Sequence, residues 1–343
     1  MQNKIVNSGD LLDNKGELVE KGYATSLIKN YDRKKIKACK LRIKEWDYYL
    51  IYNDKFGVAI TVDDNAYMGL NSLTLLDFSK PEETTKSFMT FMPNGKVGLP
   101  PTSTVGDVCV KAKNYEFKFE NDGKERRLFV CVKNFKDKKD IVVDFKLNAE
   151  PKDSMVILTP FKKKKAFYYN QKIVGLKAKG KVCLGQEEIL FDEKNTRAIL
   201  DWGRGVWTYK NTWYWGAGCG VVEGHEIGFN IGYGFGDTSA ASENMLFVDG
   251  VAHKLEQVSF NIPKTKNGKD EFMSPWTFTS SDKRFEMNFQ PIIDRHSNAN
   301  VLVISSNQHQ VFGRFSGTMV LDDGKEIKLE NFLAFAEKVV NKW

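Results

Sequence analysis

The sequence predicts an all-β protein, and three features support that fold class. Beyond about residue 40 the chain is a succession of short segments of alternating polarity, each closed by a turn signal, as in many-stranded antiparallel structures. The clearest hairpin is YEFKFENDGKERRLFVCV from Tyr115, where alternate aromatic residues share one face and Asp122-Gly123 supplies the positive φ of a tight turn. Helical periodicity is limited to residues 10–30 and the last dozen residues, which could equally form a strand.

Composition excludes several classes of protein. No window of about 20 apolar residues could span a bilayer, and the N-terminus lacks the apolar run of a secretory signal, so we expect a cytoplasmic protein without stable membrane insertion. The five cysteines contain no C-x-x-C pair and the four histidines form no ligand motif, so we expect no disulfide framework, no metal and no cofactor. The net charge of +7 comes from lysines in solvated turns and edge strands, so nucleic acid is not an expected partner.

Two segments of the chain share a common pattern. The segments that begin at Trp46 and Trp213 both contain an aromatic strand, a turn, a second strand and a glycine-containing strand, and each then reaches an acidic residue. An internal duplication would explain this match. Coincidence would also explain it, because all β-hairpins share such a pattern, and the sequence leaves both explanations open.

The stretch DWGRGVWTYKNTWYWGAG, from Asp201 to Gly218, holds four of the seven tryptophans. If residues 206–215 form one extended strand, four aromatic rings lie on one of its faces; if Lys210-Asn211 turns a hairpin, the rings still lie near one another. The rings could fill a barrel core, or they could line a pocket, since indole N–H and phenol O–H groups require polar partners. The candidate ligand-binding rings are Trp207, Tyr209, Trp213 and Trp215.

The next strand favours a pocket. In GHEIGFNIGYGFGD, Phe229, Ile231 and Tyr233 fall on one face, whereas the opposite face carries mostly glycine. A strand face without side chains usually marks the close approach of another backbone, a large ring or a ligand. The string lacks the spacing of a dinucleotide fingerprint and no βαβ unit surrounds it. We therefore add Tyr233 to the candidate ligand-binding residues.

Ionisable side chains lie near these aromatic residues. A carboxylic acid held against indole rings has a raised pKa and can donate a proton at neutral pH, so Asp201 is a candidate catalytic acid. An ion pair of Asp201 with Arg204 that pins the loop is the alternative, and Arg204 is also a candidate anchor for an anion or carbonyl. Further polar candidates are Glu223 and His309 for catalysis and Gln308 for ligand binding.

The chain resembles a bacterial family described as a domain of unknown function, over most of its length from Trp46 to Trp343. The resemblance is carried by KKAFYYNQKIVGLKAKGKV, RAILDWGRGVWTYKNTWYWGAG, GFNIGYGFGDTSAASENMLFVDG and HQVFGRFSGTMVLDDGKEIKLENFLAFAEKVVNKW. More distantly, the order of these motifs, with a closing acid such as Glu337, is similar to the carotenoid hydratases, tocopherol cyclases and related lipocalin-like proteins. That similarity implies two tandem lipocalin-like antiparallel β-barrels, with the ligand in or between them.

The residues and the resemblance together predict a function and a division of the chain. We expect an N-terminal barrel over residues 1–172 and a C-terminal barrel with the aromatic pocket over residues 173–343. We expect a largely apolar small molecule, such as an isoprenoid or lipid, as ligand; its acid-catalysed hydration, cyclisation or isomerisation stays open. A non-catalytic cytosolic carrier is one alternative, and a carbohydrate-active or carbohydrate-binding protein, with Glu223 and Asp237 as its acid pair, is the other. The oligomeric state is not predictable.

Overall fold

The computed structural model describes residues 2–301 and 304–342, which form strands and two short 3-10 helices, Arg33–Lys35 and Lys40–Arg42. None of the helices in this described part is long and apolar enough to cross a membrane. The strands of the first part are β1 (Gly9–Asp10), β2 (Gly22–Ala24), β3 (Lys29–Asn30), β4 (Ile43–Tyr52), β5 (Phe56–Asp64), β6 (Met68–Asp77), β7 (Glu82–Phe91), β8 (Val108–Ala112), β9 (Tyr115–Asn121), β10 (Arg126–Lys136), β11 (Lys139–Asn148), β12 (Met155–Pro160), β13 (Phe167–Leu184), β14 (Glu187–Phe191) and β15 (Arg197–Val206). Those of the second part are β16 (Lys210–Val222), β17 (His225–Tyr233), β18 (Met245–Val248), β19 (Val251–Lys254), β20 (Val258–Asn261), β21 (Trp276–Ser280), β22 (Phe285–Val301), β23 (Ile304–Val320) and β24 (Glu326–Lys342).

The strands form two large antiparallel sheets. The first has 13 strands, with the main order β7-β6-β5-β4-β15-β13-β11-β10-β9-β8, and the second has nine, in the order β19-β18-β17-β16-β24-β23-β22-β21-β20. A separate parallel pair joins β1 to β3. Each large sheet curls into a half-barrel, so the predicted all-β architecture of two tandem lipocalin-like barrels is confirmed.

The chain passes from one sheet to the other between Val206 and Lys210. The predicted boundary between residues 172 and 173 lies inside β13, and every strand up to β15 that belongs to a large sheet is in the first one. Residues 207–209 therefore neither continue a strand nor turn a hairpin. They cross between the sheets and carry Trp207 with them.

Local sequence signals account for several elements. The hairpin of β9 and β10 forms as predicted, with Gly123 at φ 88° in its turn and the rings of Phe117 and Phe119 buried. The last dozen residues belong to β24, the strand alternative of the prediction. Residues 10–30 form turns and short strands instead of a helix, because Gly16 and Gly22 both take positive φ values there.

Three groups of buried apolar side chains hold the molecule together. One fills the inside of the first half-barrel and includes Phe117, Phe145 and Trp202. Another fills the second half-barrel with phenylalanine rings such as Phe229 and Phe315. The third lies between the half-barrels and joins side chains from the outer faces of both sheets. Side chains fill both interiors, so space for a ligand is expected between the sheets.

The two sheets repeat one arrangement of strands. The order β7-β6-β5-β4-β15-β13 in the first sheet matches β19-β18-β17-β16-β24-β23 in the second, with every neighbouring pair antiparallel. In this match β4 corresponds to β16, and Trp46 and Trp213 occupy equivalent positions in these two strands. The two segments that share a sequence pattern thus occupy equivalent positions in the fold.

Gly203 makes room for the indole ring of Trp46. The two residues are opposite each other in the β4–β15 pair, and a Cβ atom at position 203 would overlap the six-membered part of that ring. Trp46 in turn packs against Tyr168 and Trp207. A side chain at position 203 would therefore push Trp46 out of an aromatic cluster.

We predict that Gly203→Ala lowers the free energy of unfolding by about 1–3 kcal/mol, as expected for overpacking. In a Trp46→Leu background, which lacks the overlapping ring atoms, the same change should cost less than half as much. Urea denaturation of the four proteins of this cycle measures both values. An equal cost in both backgrounds would mean that the backbone, and not the indole ring, requires glycine at this position.

Candidate functional site

A cavity of about 200 Å³ lies between the outer faces of the two sheets. Its walls come from β4, β5, β6, β13 and β15 of the first sheet and from β16, β23 and β24 of the second. Alternate residues of a strand point to opposite faces, so the even-numbered residues of β4 face the cavity and the odd-numbered ones face the first barrel. In β16 and β24 it is the odd-numbered residues that face the cavity.

Aromatic side chains form one wall of the cavity. Trp207 is at the centre, with edge-to-face ring contacts to Trp46 at 5.2 Å and to Phe235 at 4.8 Å between centroids. Trp213 also contacts Phe235, at 5.3 Å, and Tyr168 stacks on Trp46 at 6.0 Å. Such contacts hold the rings in fixed orientations and give the cavity a rigid apolar surface.

An ion pair stands on the first sheet. The ammonium of Lys172 on β13 lies 3.0 Å from the carboxylate of Asp201 on β15, directly opposite it in the strand register. Asn170 donates a further hydrogen bond of 2.6 Å to the same carboxylate oxygen. The ammonium also lies 3.9 Å from the centroid of the Trp215 ring, across the cavity. Lys172 therefore has a counter-ion on one side and an indole face on the other.

A second acid, Glu337, lies on the other sheet and forms no ion pair with any residue of the described part of the chain. Trp213 Nε1–H donates to one of its oxygens at 2.9 Å, and the amides of Gln308 and Gln310 donate to the other, each at 3.2 Å. Burial raises the pKa of Glu337 to about 7, although these hydrogen bonds and the charge of Lys172 act to lower it. Glu337 can thus exist in both protonation states near neutral pH.

Two further carboxyl groups and a guanidinium line the same cavity. Burial raises the pKa of Glu243, and it raises the pKa of Asp63 to about 7 despite the hydrogen bond from the backbone N–H of Leu70. Arg295 is half-buried and donates a hydrogen bond of 2.8 Å to Gln310 Oε1. The cavity thus combines an apolar wall with several acidic groups that burial makes easier to protonate.

The nearly bare face of β17 explains the position of Glu243. A Cβ atom at Gly232 would lie 2.8 Å from Oε1 of Glu243, so glycine allows this side chain to lie against the strand. The remaining side chain on that face, Asn230, accepts a hydrogen bond of 2.8 Å from Trp215 Nε1–H. The close approach that the glycines indicated is therefore made at Gly232 by an acidic side chain of the protein, and at Gly228 by the side chain of Val174.

The structure brings five of the predicted site residues together at the cavity. They come from the link between the sheets and from three strands that the sequence does not mark as neighbours. These residues are Asp201, Trp207, Trp213, Trp215 and Gln308.

Three predicted ligand-binding residues lie elsewhere. Arg204 points into the first barrel, because it is an odd number of positions from Asp201, and donates to the carbonyls of Trp46 and Pro100 and to Asp47. Tyr209 is 49% exposed in the link between the sheets. Tyr233 packs inside the second barrel, where its ring stacks on Tyr214 at 4.5 Å. Arg204 forms its ion pair with Asp47. The alternative interpretation of the sequence had paired Arg204 with Asp201, whose ion pair is with Lys172.

Two predicted catalytic residues also lie away from the cavity. Glu223 is exposed in the turn between β16 and β17, with φ 49°. His309 points to the face of β23 opposite to that of Gln308, where it contacts Asp294 at 2.7 Å and stacks on Phe272 at 3.8 Å. Asp237, the suggested partner of Glu223 in a glycosidase pair, is exposed and does not line the cavity.

Several cavity residues were not among the predicted candidates. Lys172, Glu243 and Arg295 lie in strands or loops whose sequence shows nothing unusual, and Glu337 appeared only as the closing acid of the resemblance. One signal could have found part of the set: Trp46 and Tyr48 stand in the segment that repeats the pattern of Trp213 and Trp215. Within residues 2–301 and 304–342, no three His, Cys, Asp or Glu side chains are placed to hold a metal ion.

Comparison with solved structures identifies the class of fold. A protein of Nitrosomonas europaea provisionally named AttH is 13% identical, with 90% of this chain and 96% of that chain covered and a TM-score of 0.54. Kievitone hydratase from Nectria haematococca is 12% identical, with 88% of each chain covered and a TM-score of 0.52. These values show a shared fold of the two-barrel, lipocalin-like class.

The chain belongs to the family described as Domain of unknown function (DUF2804), whose model matches residues 2–343. This confirms the resemblance found in the sequence. Comparison with curated proteins finds no match.

We predict that Glu337 makes the protein less stable as the pH rises. Folding raises the pKa of this acid from its ordinary 4.5 to about 7, so the folded state holds the proton more tightly and loses stability as the pH rises between these values. Glu337→Gln removes this dependence, and its unfolding free energy relative to the wild type should increase by up to about 3 kcal/mol from pH 4 to pH 8.

Urea denaturation at several pH values measures the difference. Lys172, Asp201, Arg295 and Tyr48 also face Glu337 and are unchanged in the variant, so the comparison isolates the effect of position 337. The exposed Glu330 on the same strand provides a matched control, because Glu330→Gln should leave the pH dependence unchanged. A difference that is the same at pH 4 and pH 8 would contradict a raised pKa at position 337.

Proposed function

We propose that this protein binds a compact, largely apolar molecule with a polar end in the cavity between its sheets, and that Glu337 transfers a proton to it. The observation that carries the proposal is the position of a buried acid, able to change its protonation state near pH 7, beside a rigid aromatic wall. A proton donor is most useful when its pKa is near the working pH. The fold shared with kievitone hydratase, a hydratase by name, is compatible with such chemistry.

The size of the cavity favours a compact ligand. At about 200 Å³ it is smaller than the roughly 300–1,000 Å³ of pockets that take drug-sized molecules. A ring system or a short branched chain fits this space better than a long lipid does. The aromatic wall supplies apolar contact, and the polar end of the ligand would face the acids on the two sheets.

Glu337 is a better proton donor than Asp201, the acid that the sequence indicated. Asp201 has an ammonium at 3.0 Å and an amide donor at 2.6 Å, and both interactions stabilise its ionised form. Among residues 2–301 and 304–342, the donors within hydrogen-bonding distance of Glu337 are all neutral. Asp201 thus serves to hold Lys172 in place, whereas Glu337 is free to gain and lose a proton.

The reaction class that this arrangement supports is proton-initiated addition to a C=C bond. The O–H bond of Glu337 breaks and a C–H bond forms, which leaves positive charge on the second carbon. In a hydration, the oxygen of a water molecule bonds to that carbon and the surplus proton of the water returns to Glu337. Loss of a proton from a neighbouring carbon to the Glu337 carboxylate would instead give an isomer. Attack by a second C=C bond would close a ring and move the positive charge to a new carbon, and loss of a proton from the carbon beside it to the same carboxylate would complete the cyclisation.

The first test is the identity of the small molecules that co-purify with the protein. We expect a low-mass apolar compound in the extract of the wild type and a loss of more than tenfold for Trp213→Ala, which removes part of the aromatic wall and a hydrogen bond to Glu337. Tyr209→Ala, an aromatic change outside the cavity, should retain the compound. Equal recovery from both variants would contradict binding in this cavity.

The second test separates an enzyme from a carrier. The extracted compound is incubated with the wild type in D₂O, and mass spectrometry measures the deuterium that enters carbon positions. We expect uptake with the wild type, none with Glu337→Gln, and normal uptake with Glu330→Gln. If the wild type binds the compound without any uptake or conversion, the protein is a carrier and the proton-transfer part of the proposal is wrong.

A further inference from the structure

The cavity holds more carboxyl groups than cations. The ion pair of Lys172 and Asp201 is neutral as a unit. Of the other cavity residues, Asp63, Glu243 and Glu337 are acidic and Arg295 is basic, and the buried ammonium of Lys44 beside the cavity attracts Asp63, so the excess is one negative charge when all are ionised. Among the described residues, Glu337 has no ion pair within 4.0 Å, and its hydrogen-bond donors are the indole of Trp213 and the amides of Gln308 and Gln310. A buried carboxylate without a counter-ion is costly, so the cavity favours positive charge.

The repeated strand arrangement indicates where in the cavity a positive charge is missing. In the first sheet the register places Lys172, Asp201 and Tyr48 side by side on β13, β15 and β4. In the second sheet the equivalent positions on β23, β24 and β16 are Gln310, Glu337 and Trp215. The acid and the aromatic residue are thus present twice, but the lysine is present once, and Arg295 donates a hydrogen bond to the residue that replaces it. At the second acid a neutral amide takes the place of the lysine.

The walls of the cavity are suited to a cation as well. Indole faces attract positive charge through the quadrupole of the ring, most strongly where water is excluded. The protein already uses this attraction once, since the Lys172 ammonium lies 3.9 Å from the Trp215 ring centroid. Trp46, Trp207 and Trp213 supply three more indoles on the same cavity.

We infer that the cavity selects a positively charged group on its ligand, and that this group lies between Glu337 and the indole rings. At this place the second sheet has the neutral amide of Gln310, whereas the first sheet has a lysine. The ligand class is a cation on a compact apolar frame. The inference rests on the proposed binding function of the same cavity. It extends that function, because the positive charge that proton transfer to a C=C bond creates would be stabilised by the same carboxylates and rings.

Three probes of similar shape test the charge preference. They are benzyltrimethylammonium, its neutral isostere neopentylbenzene and the anion phenylacetate, each titrated against the wild type at pH 7.5 with tryptophan fluorescence as the readout. We expect the ammonium to bind at least tenfold more tightly than the neutral isostere, and the anion to bind most weakly. Equal or tighter binding of the neutral or anionic probe would overturn the inference, and so would the absence of ammonium binding.

A variant that supplies the second cation completes the test. Gln310→Lys places an amine opposite Glu337, as Lys172 stands opposite Asp201, and should abolish the preference for the ammonium while neopentylbenzene still binds. Gln310→Met, which removes the amide without adding charge, should keep the preference. If Gln310→Lys retains the full preference, the charge does not lie at Glu337. The ligand-extraction experiment with Trp213→Ala decides the proposed function separately, because it does not depend on the charge of a probe.

Discussion

The contact between the outer faces of the two sheets is the constraint on which the site depends. The strand β15 shows its effect most clearly, because all ten of its residues are buried. One set of alternate side chains, with Leu200 and Trp202, fills the first barrel, and the other set, with Ile199 and Asp201, faces the second sheet. A strand buried on both faces has no solvent side on which to place a polar residue. Polar groups on it are therefore held by partners inside the protein.

This burial determines the chemistry of the acids. In water an aspartate or glutamate is ionised at neutral pH, but removal from water destabilises the charged form. Asp201 has the ammonium of Lys172 at 3.0 Å, whereas the donors to Glu337 among the described residues are neutral groups. Two acids in one cavity thus have different environments, although both side chains are buried. The difference comes from the residue opposite each acid in the adjacent strand, which is Lys172 in the first sheet and Gln310 in the second.

The equivalence of the two sheets relates this asymmetry to the architecture. The matching order of six strands and the equivalent positions of Trp46 and Trp213 support an internal duplication over coincidence. After such a duplication, the same register position carries lysine in one sheet and glutamine in the other. The residues opposite the two tryptophans also differ. Gly203 makes room for Trp46, whereas Val339 lies opposite Trp213. The strand arrangement is repeated, and the cavity lies between the two copies, where their side chains differ.

Much of the fold follows from local features of the sequence. Period-two patterns and turns such as Asp122-Gly123 specify strands and hairpins within a few residues, so the all-β class and the aromatic surface of Trp207, Trp213 and Trp215 were predictable. Even the bare face of β17 correctly indicated a close approach. These properties depend on residues close together in the chain, which is why the sequence alone is sufficient to determine them.

The composition of the site depends on contacts between distant parts of the chain. Lys172 and Asp201 are 29 positions apart, and Glu337 comes from the last strand, so no local pattern shows that they share one cavity. The side to which Arg204 and His309 point was set by the register of their strands, and a shift of one residue reverses it. Sequence determined which strands and rings this protein has. Packing of the two sheets decided which side chains lose water together, and that loss of water makes the buried acids Glu337 and Asp63 easier to protonate.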